Sequence, residues 1–339
     1  MAEATVSAGL ARGLFLTALR RGAAEWALAE RSGIALADLE DQDARIPFGR
    51  YVALMAAGKA LTGDTALALH CAEEIAMSEF SVVGLIADAA ETMLHAFAQL
   101  NRYGQLVVEV DGLVDGDRFT LHPEAEGLWL VDNRADSDAF PELTESTFAR
   151  MALGARPYAD GRPFITRLEV THAEPPHRAE YDRIFEVPVA FGAARNAALL
   201  APHWLAQRLR PTPRYAFGIL SERAEALLTS LQSSRTVRGR VESLLMPVLH
   251  TGEIGVESIA ARLGMSRATL FRRLKAEGTT FAGVLDDLRR RLALHYLAGR
   301  RVSVNETAYL VGFSDPAAFS RAFKRWTGAS PRTVRRAEP

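Results

Sequence analysis

Arginine and lysine side chains cluster at two places near the C-terminal end of the chain. Residues 267–275 contain three Arg and one Lys, and residues 321–325 contain two Arg and one Lys. A guanidinium group donates paired hydrogen bonds to phosphate or to the edge of guanine, whereas an ammonium group binds phosphate as a point charge. The two clusters therefore predict contacts with nucleic acid, and the alternative is that they form surface salt bridges.

The net charge of the whole chain, −1, conceals an uneven distribution. Residues 1–232 carry 21 basic and 32 acidic side chains, a net charge of −11, whereas residues 233–339 carry 19 basic and 9 acidic side chains, a net charge of +10. An acidic body joined to a basic tail points to a partner such as nucleic acid or an anionic membrane. No apolar run reaches the roughly 18 residues that a membrane span needs, so we expect no membrane partner.

Residues with metal-binding or catalytic chemistry form no comparable pattern. His70 lies beside Cys71, where a metal or redox sensor could be built, although packing on an amphipathic helix explains the pair equally simply. His172 and His177 flank a Pro-Pro turn and could bind a metal with Glu174, or could be ordinary loop residues. Cys71 is the only cysteine, which excludes an intrachain disulfide and a four-cysteine zinc site. We therefore expect no metal, no cofactor and no enzymatic activity.

An internal repeat places the basic clusters on helices. The repeated positions are Val256, Ile259, Ala260, Leu263 and Gly264, which correspond 48 residues later to Val304, Thr307, Ala308, Val311 and Gly312. Apolar residues at this spacing share one face of a short helix, and a glycine at its end suits a left-handed cap and a tight turn.

A second helix is expected after each glycine. Leu270 and Leu274 form the predicted buried pair of one such helix, and Phe319 and Phe323 form the pair of the other. The basic side chains then lie on a different face. A helix, a glycine turn and a helix with an exposed basic face are the plan of a helix-turn-helix unit.

Capping residues support these helix starts. We expect Ser266 and Ser314 to be the N-caps of the two second helices. Residues 303–306, Ser-Val-Asn-Glu, have the pattern of a capping box for the helix before the second turn.

Two such units in tandem resemble the DNA-binding domain of the AraC/XylS family of bacterial transcription regulators. The residues that carry the resemblance are AYLVGFSDP at 308–316, AFSRAFKRWTG at 318–328, and Ser330-Pro331. The resemblance covers about residues 236–336, and it implies a long helix from Phe281 to about Leu297 between the two units. Thr307 departs from the family pattern, which usually has an aliphatic residue there, and costs little if its hydroxyl bonds back to the helix.

The resemblance and the expected helix faces together indicate a set of DNA contacts. The candidates are Arg267, Ala268, Phe271, Arg272 and Lys275 in the first unit, and Asp315, Pro316, Ser320, Arg321, Lys324 and Arg325 in the second. Arg272 and Arg321 are the expected principal base readers, with Ser320 beside the latter. The lysines and Arg325 are expected to contact phosphates. Phe271 has two open interpretations, namely contact with thymine methyl groups and packing under the long helix.

The first 200 residues resemble an effector domain of this family that is called arabinose-binding, although its members serve varied pathways. The matching runs lie at residues 43–47, 61–64, 180–181, 185, 188–189, 191–192 and 195–196. The match says little about the ligand. The helical content of this region argues against the small β-barrel sensor of the arabinose regulator itself.

The 339 residues, 48% of them hydrophobic, suffice for two or three domains with buried cores. The patterns predict an α+β sensor domain followed by an all-α double helix-turn-helix domain. We place these domains at residues 1–210 and 236–339, with a linker and connecting helix at 211–235, because Arg-Pro-Thr-Pro-Arg interrupts the chain there. Helices are expected over residues 1–45, 48–61, 82–101, 142–156, 178–185 and 216–231, and strands over 105–110, 118–122, 128–131, 164–171 and 197–200.

Three aromatic residues of the first domain are candidates for an effector pocket. They are Phe97, Tyr103 and Trp129, and the alternative for each is that it fills the core. The sequence therefore predicts a cytoplasmic, homodimeric transcription regulator that binds double-stranded DNA and a small-molecule effector. Two other interpretations stay open: an N-terminal domain that only oligomerises, and an enzyme fused to a DNA-binding tail.

Overall fold

A computed structural model of the chain describes residues 3–110, 117–156, 163–204, 209, 214–251, 255–298 and 302–337. The chain folds into two compact units, Met1–Leu228 and Thr229–Pro339. Residues 210–213, which include the start of the expected linker, lie outside the described residues. The fold class is confirmed, since a mixed helix-and-sheet unit precedes an all-helical unit.

Helices form most of the N-terminal unit. They are α1 (Ala8–Arg20), α2 (Glu25–Ser32), α3 (Phe48–Thr62), α4 (Leu67–Glu74), α5 (Val82–Asp88), α6 (Met93–Tyr103), α7 (Pro141–Ala155) and α8 (Arg178–Phe185). A ninth in chain order, α9 (Arg214–Arg235), includes the expected connecting helix and contains the boundary between the units. No single described helix is both long and apolar enough to cross a membrane, although α3 and α4, bent by 100° at their junction, pass that test of length and composition as a pair.

The strands of this unit form two sheets. They are β1 (Thr5–Ser7), β2 (Arg45–Pro47), β3 (Phe119–Glu124), β4 (Gly127–Asp132), β5 (Ile165–Glu169), β6 (Val189–Ala190) and β7 (Asn196–Leu200). β1 pairs with β2, and the larger sheet has the order β3-β4-β7-β5-β6, antiparallel except between β5 and β6. The larger sheet packs against α6, α7 and α8 through buried residues such as Leu130, Phe148 and Leu168.

Three of the expected elements are wrong. The expected helix over residues 1–45 is instead β1, α1, α2 and the start of β2, because residues 5–7 pair with residues 45–47 as strands and Gly33, with φ +68°, ends α2. The expected strand at residues 105–110 is instead a helical turn followed by a single bridge between Val108 and Val6. Leu106, Val107 and Val108 are buried, but β1 is only three residues long and offers few backbone partners. The expected helix at 82–101 breaks into α5 and α6, because Thr92 caps the second helix by accepting the N–H of His95 (3.2 Å).

The histidines of the first unit lie in hydrogen-bond networks. The Tyr181 hydroxyl lies 3.1 Å from Glu145 Oε1 and 3.0 Å from His172 Nε2, and His177 Nε2 lies 2.9 Å from the same Glu145 oxygen. Glu174 instead pairs with Arg178 at 3.2 Å. Within the described part of the chain, no group of three or more His, Cys, Asp or Glu side chains is arranged to hold a metal ion.

The described residues of the C-terminal unit form helices joined by short turns, without strands. Its helices are α10 (Val237–Leu245), α11 (Val256–Arg262), α12 (Arg267–Ala276), α13 (Phe281–Ala298), α14 (Val304–Leu310), α15 (Pro316–Thr327) and α16 (Pro331–Ala337). The two repeated segments are therefore α11–α12 and α14–α15. The expected long helix between them is α13.

Candidate nucleic-acid interface

Each helix-turn-helix unit is held by the apolar pair that the repeat predicted. Leu270 and Leu274 on α12 are fully buried, and so are Phe319 and Phe323 on α15. All four side chains join one core with residues of α10 and α13. Burial of one face fixes which side of each helix is exposed, so the basic residues between the buried positions face outward.

The glycine of each turn adopts the left-handed conformation that glycine tolerates without strain. Gly264 has φ +67° and Gly312 has φ +80°. Gly312 is restricted further, because a Cβ there would lie 2.2 Å from the carbonyl oxygen of Leu249. The turns therefore require glycine for backbone geometry at both positions and for close packing at the second.

The helix starts agree with the sequence at two of three positions. Ser266 caps α12 by accepting the N–H of Thr269 at 3.2 Å, and Ser303 with Glu306 forms the expected capping box of α14. The expected cap at Ser314 is wrong. Asp315 caps α15 instead, because its carboxylate reaches two N–H groups, those of residues 317 and 318, at 2.9 and 3.0 Å.

The side chains of Thr307 and Arg289 donate hydrogen bonds to backbone carbonyls of the second unit. The buried Thr307 hydroxyl donates to the carbonyl of Ser303 at 2.9 Å, so the condition under which this departure from the family pattern costs little is met. Arg289 on α13 donates to the carbonyls of Val311 and Gly312 at 3.1 and 3.2 Å. Burial lowers the pKa of this guanidinium. The sequence gives no sign of this role, since residues 289–291 are three consecutive arginines.

Helix α12 is the second helix of the first helix-turn-helix unit, and we call it the first recognition helix. All five of its candidate DNA contacts are exposed. Arg267, Ala268, Phe271, Arg272 and Lys275 are all solvent-exposed. Arg267 pairs with Glu257 at 2.7 Å, and its guanidinium lies over the Phe271 ring at 5.2 Å. Phe271 remains 40% exposed, which favours its surface interpretation over packing beneath α13.

Helix α15, the second recognition helix, has fewer side chains that are free to donate hydrogen bonds to DNA. Pro316 and Ser320 are half-buried, and the Ser320 hydroxyl donates to the Pro316 carbonyl at 2.9 Å. Arg321 and Lys324 are exposed, with Arg321 only 3.9 Å from the Asp315 carboxylate. Exposed Arg325 pairs with Asp286 on α13 at 3.1 Å. The side chains with the most freedom to reach DNA on this helix are therefore Arg321 and Lys324.

The three aromatic candidates of the N-terminal unit lie in three different environments. Phe97 lines an apolar cavity of about 340 Å³. The Tyr103 ring is buried and its hydroxyl donates to Glu225 on α9 at 3.2 Å. Trp129 lies on the sheet face opposite the core, between the guanidinium groups of Arg167 and Arg195 at 4.9 and 4.5 Å.

Comparison with known proteins matches both units. A family described as the arabinose-binding domain of AraC transcription regulators, N-terminal, matches residues 22–209, and a helix-turn-helix domain matches residues 259–337. The ornithine utilization regulator of Pseudomonas aeruginosa is 27% identical over 93% of this chain and 92% of its own. The transcriptional regulator VirS of Mycobacterium tuberculosis is 38% identical over 31% of each chain.

Among solved structures, the transcriptional regulator CdpR from Pseudomonas aeruginosa aligns with 80% of this chain and 86% of its own, at 22% identity and a TM-score of 0.36. The first of the two relatives is named as a regulator and the second as a transcriptional regulator. Together with the paired helix-turn-helix units and their exposed basic faces, the two family matches show that the chain belongs to the AraC family of DNA-binding transcription regulators.

Proposed function

We propose that the N-terminal unit binds a small, largely apolar effector that controls the action of the C-terminal unit on DNA. The observation that carries this proposal is the apolar cavity of about 340 Å³, a size within the range of small-molecule sites. Phe97 and Phe164 stack in its wall with ring centroids 5.7 Å apart. Met77, Met93 and Met151 are also in the wall, and such flexible side chains adapt to a ligand.

Helix α6 supports a route from the cavity towards the DNA-binding unit. One face of this helix, which includes Ala96, Phe97 and Leu100, lines the cavity. Other positions on it hold α9: Arg102 and Tyr103 both donate to Glu225, at 2.9 and 3.2 Å. A ligand that displaces α6 would therefore displace α9, which continues into the C-terminal unit.

Further parts of the proposal concern assembly and place of action. We infer that the protein acts in the bacterial cytoplasm as a homodimer, with two copies of its DNA site in each target. Sedimentation should then give twice the chain mass of 37.0 kDa. The other candidate function, an N-terminal unit that only oligomerises, provides no role for the apolar cavity.

Ligand-dependent thermal stability separates these two functions. A compound that binds only the folded state raises the melting temperature, so fractions of a metabolite extract should contain compounds that stabilise the wild type. Gly154→Leu should abolish that response, because Gly154 lines the cavity and has open space beside it. Gly218→Leu, at an exposed helical glycine on α9 that also has open space, is the matched control and should respond normally. Equal responses in both variants would contradict the proposed site.

A further inference from the structure

A second cavity, of about 530 Å³, lies between α1 and the segment that follows α4. We propose that this cavity binds a small anion through a carboxylate or phosphate group, and that Arg12 is its principal contact. The proposed anion site is separate from the apolar cavity and from the DNA-binding unit, so it does not depend on either.

Two glycines on α1 shape this cavity. A Cβ at Gly9 would lie 2.3 Å from the carbonyl oxygen of Phe80, so the segment at Phe80 packs directly on the helix backbone. A Cβ at Gly13 would meet only the Ile75 side chain, with Cδ1 at 3.4 Å and Cγ2 at 3.9 Å. Both glycines and Arg12 line the cavity. At Gly13 the helix therefore presents backbone, instead of a bulky side chain, to the cavity beside Arg12.

The other two arginines that line the cavity, Arg20 and Arg21, are already paired with carboxylates. Arg20 and Arg21 each donate to one oxygen of Glu74, with shortest distances of 2.8 Å. These bonds hold the pKa of Glu74 below its usual range, against the opposing effect of its partial burial. Arg21 also lies 3.1 Å from Asp64. An incoming anion would have to compete with carboxylates at both of these arginines.

Arg12 differs from both. Its side chain is half-buried, and within the described part of the chain it has no hydrogen-bond or ion-pair partner. Glu79, the other acidic residue of the lining, is exposed and its carboxylate accepts the N–H of Ala76 at 2.9 Å. A guanidinium that is partly removed from water and lacks an acceptor gains most from an anion that offers it two oxygen acceptors, as carboxylate and phosphate both do. The cavity is large enough to hold a small metabolite beside it.

The direct test is anion-dependent stability of the full chain, measured at constant ionic strength with succinate and with inorganic phosphate as separate probes. Succinate or phosphate should raise the melting temperature of the wild type, and the probe that does so identifies the anionic group. Arg12→Met should weaken the apparent affinity about tenfold or more, as expected for loss of a charge-assisted contact. Arg31→Met is the matched control, because Arg31 is an exposed arginine outside this cavity. Any anion binding by the basic C-terminal unit is the same in both variants and cancels in their comparison.

A second measurement uses the unaltered protein. Phenylglyoxal modifies accessible guanidinium groups, and mass spectrometry of the digested protein reports the modification at each arginine. The effective probe should protect Arg12 and leave Arg31 unprotected. The proposal is wrong if neither anion protects Arg12, or if Arg12→Met is stabilised as strongly as Arg31→Met.

Discussion

Arg272 is the exposed side chain on which base recognition by the first helix-turn-helix unit should depend most. It has no ion-pair partner within the described residues, whereas the neighbouring Arg267 is held by Glu257. Arg272→Ala should cost about 1–3 kcal/mol at the specific site and relax discrimination at one or two base pairs. The corresponding change at Arg321 should act in the same way at different base pairs.

Titration against a set of single-base variants of the site measures both effects. Lys324→Ala is the comparison within the interface, and it should weaken binding to all sequences more evenly because a lysine binds phosphate as a point charge. Arg31→Ala, on the N-terminal unit, should leave binding unchanged. An unaltered sequence preference in both the Arg272 and Arg321 variants would mean that other residues read the bases.

Asp315 offers a pH-dependent test of the corrected helix cap. The N–H groups of residues 317 and 318 lower the pKa of its carboxyl, so the cap stabilises α15 above the ordinary aspartate pKa of about 3.9. This contribution is lost as the pH falls through the lowered pKa. Asp315→Ala should therefore lower the melting temperature at pH 7, and its difference from the wild type should shrink in strong acid. Ser314→Ala, at the cap expected from sequence, should change little at either pH.

The sequence predicted that most of the candidate DNA contacts on α12 and α15 are exposed, but it did not predict which side chains form ion pairs or hydrogen bonds with them. Periodicity alone indicates which side of α12 and α15 is buried, because Leu270, Leu274, Phe319 and Phe323 repeat at helical spacing. Ser314 and Asp315 are both good capping residues, and only the backbone path decides between them.

At the scale of elements, α1 contains two glycines that should respond in opposite ways to the same substitution. Gly13→Ala should stabilise the unit by about 0.5–1 kcal/mol, because alanine favours a helix interior and its Cβ makes only an ordinary contact. Gly9→Ala should destabilise it by about 1–3 kcal/mol, because its Cβ would clash with the Phe80 carbonyl. Urea unfolding of the two variants measures both free energies. Equal effects would contradict the direct packing of the Phe80 segment on α1.

Elements that depend on distant partners were the hardest to predict. β1 and β2 are three residues long and pair across about forty positions, from Val6 to Ile46, so neither has a local pattern to recognise. Residues 105–110 have a local strand pattern without a strand partner of matching length. In contrast, the helix expected at residues 178–185 has the same bounds as α8, whose turn signals and apolar face are local.

At the scale of the whole molecule, the charge asymmetry follows the division into units. The C-terminal unit has its own buried core, which includes Val241, Leu288 and Phe319, so a fragment of residues 229–339 should fold alone. It should bind DNA with an affinity that falls steeply with salt, as counterion release requires. The acidic fragment of residues 1–228 is the control and should not bind in the same gel-shift experiment.

The apolar cavity, by comparison, could not be located from sequence. Its wall combines residues near 77, 97, 151 and 209, which only the fold brings together. Of the three aromatic candidates, Phe97 lines it, whereas Tyr103 and Trp129 occupy other surroundings. Aromatic side chains occur in cores, at helix contacts and in pockets, so the residue type alone does not predict which of these environments a given aromatic residue occupies.

Footprinting of the 229–339 fragment on its preferred DNA shows whether one chain reads DNA with two different recognition helices. The exposed side chains of the two helices differ, with Phe271 and Arg272 on α12 and Arg321 and Lys324 on α15. One fragment should therefore protect about 20 base pairs without internal symmetry, as two major-groove segments about 34 Å apart. A palindromic site that requires two cooperatively bound fragments would contradict the account, because only one helix of each chain would then contact bases.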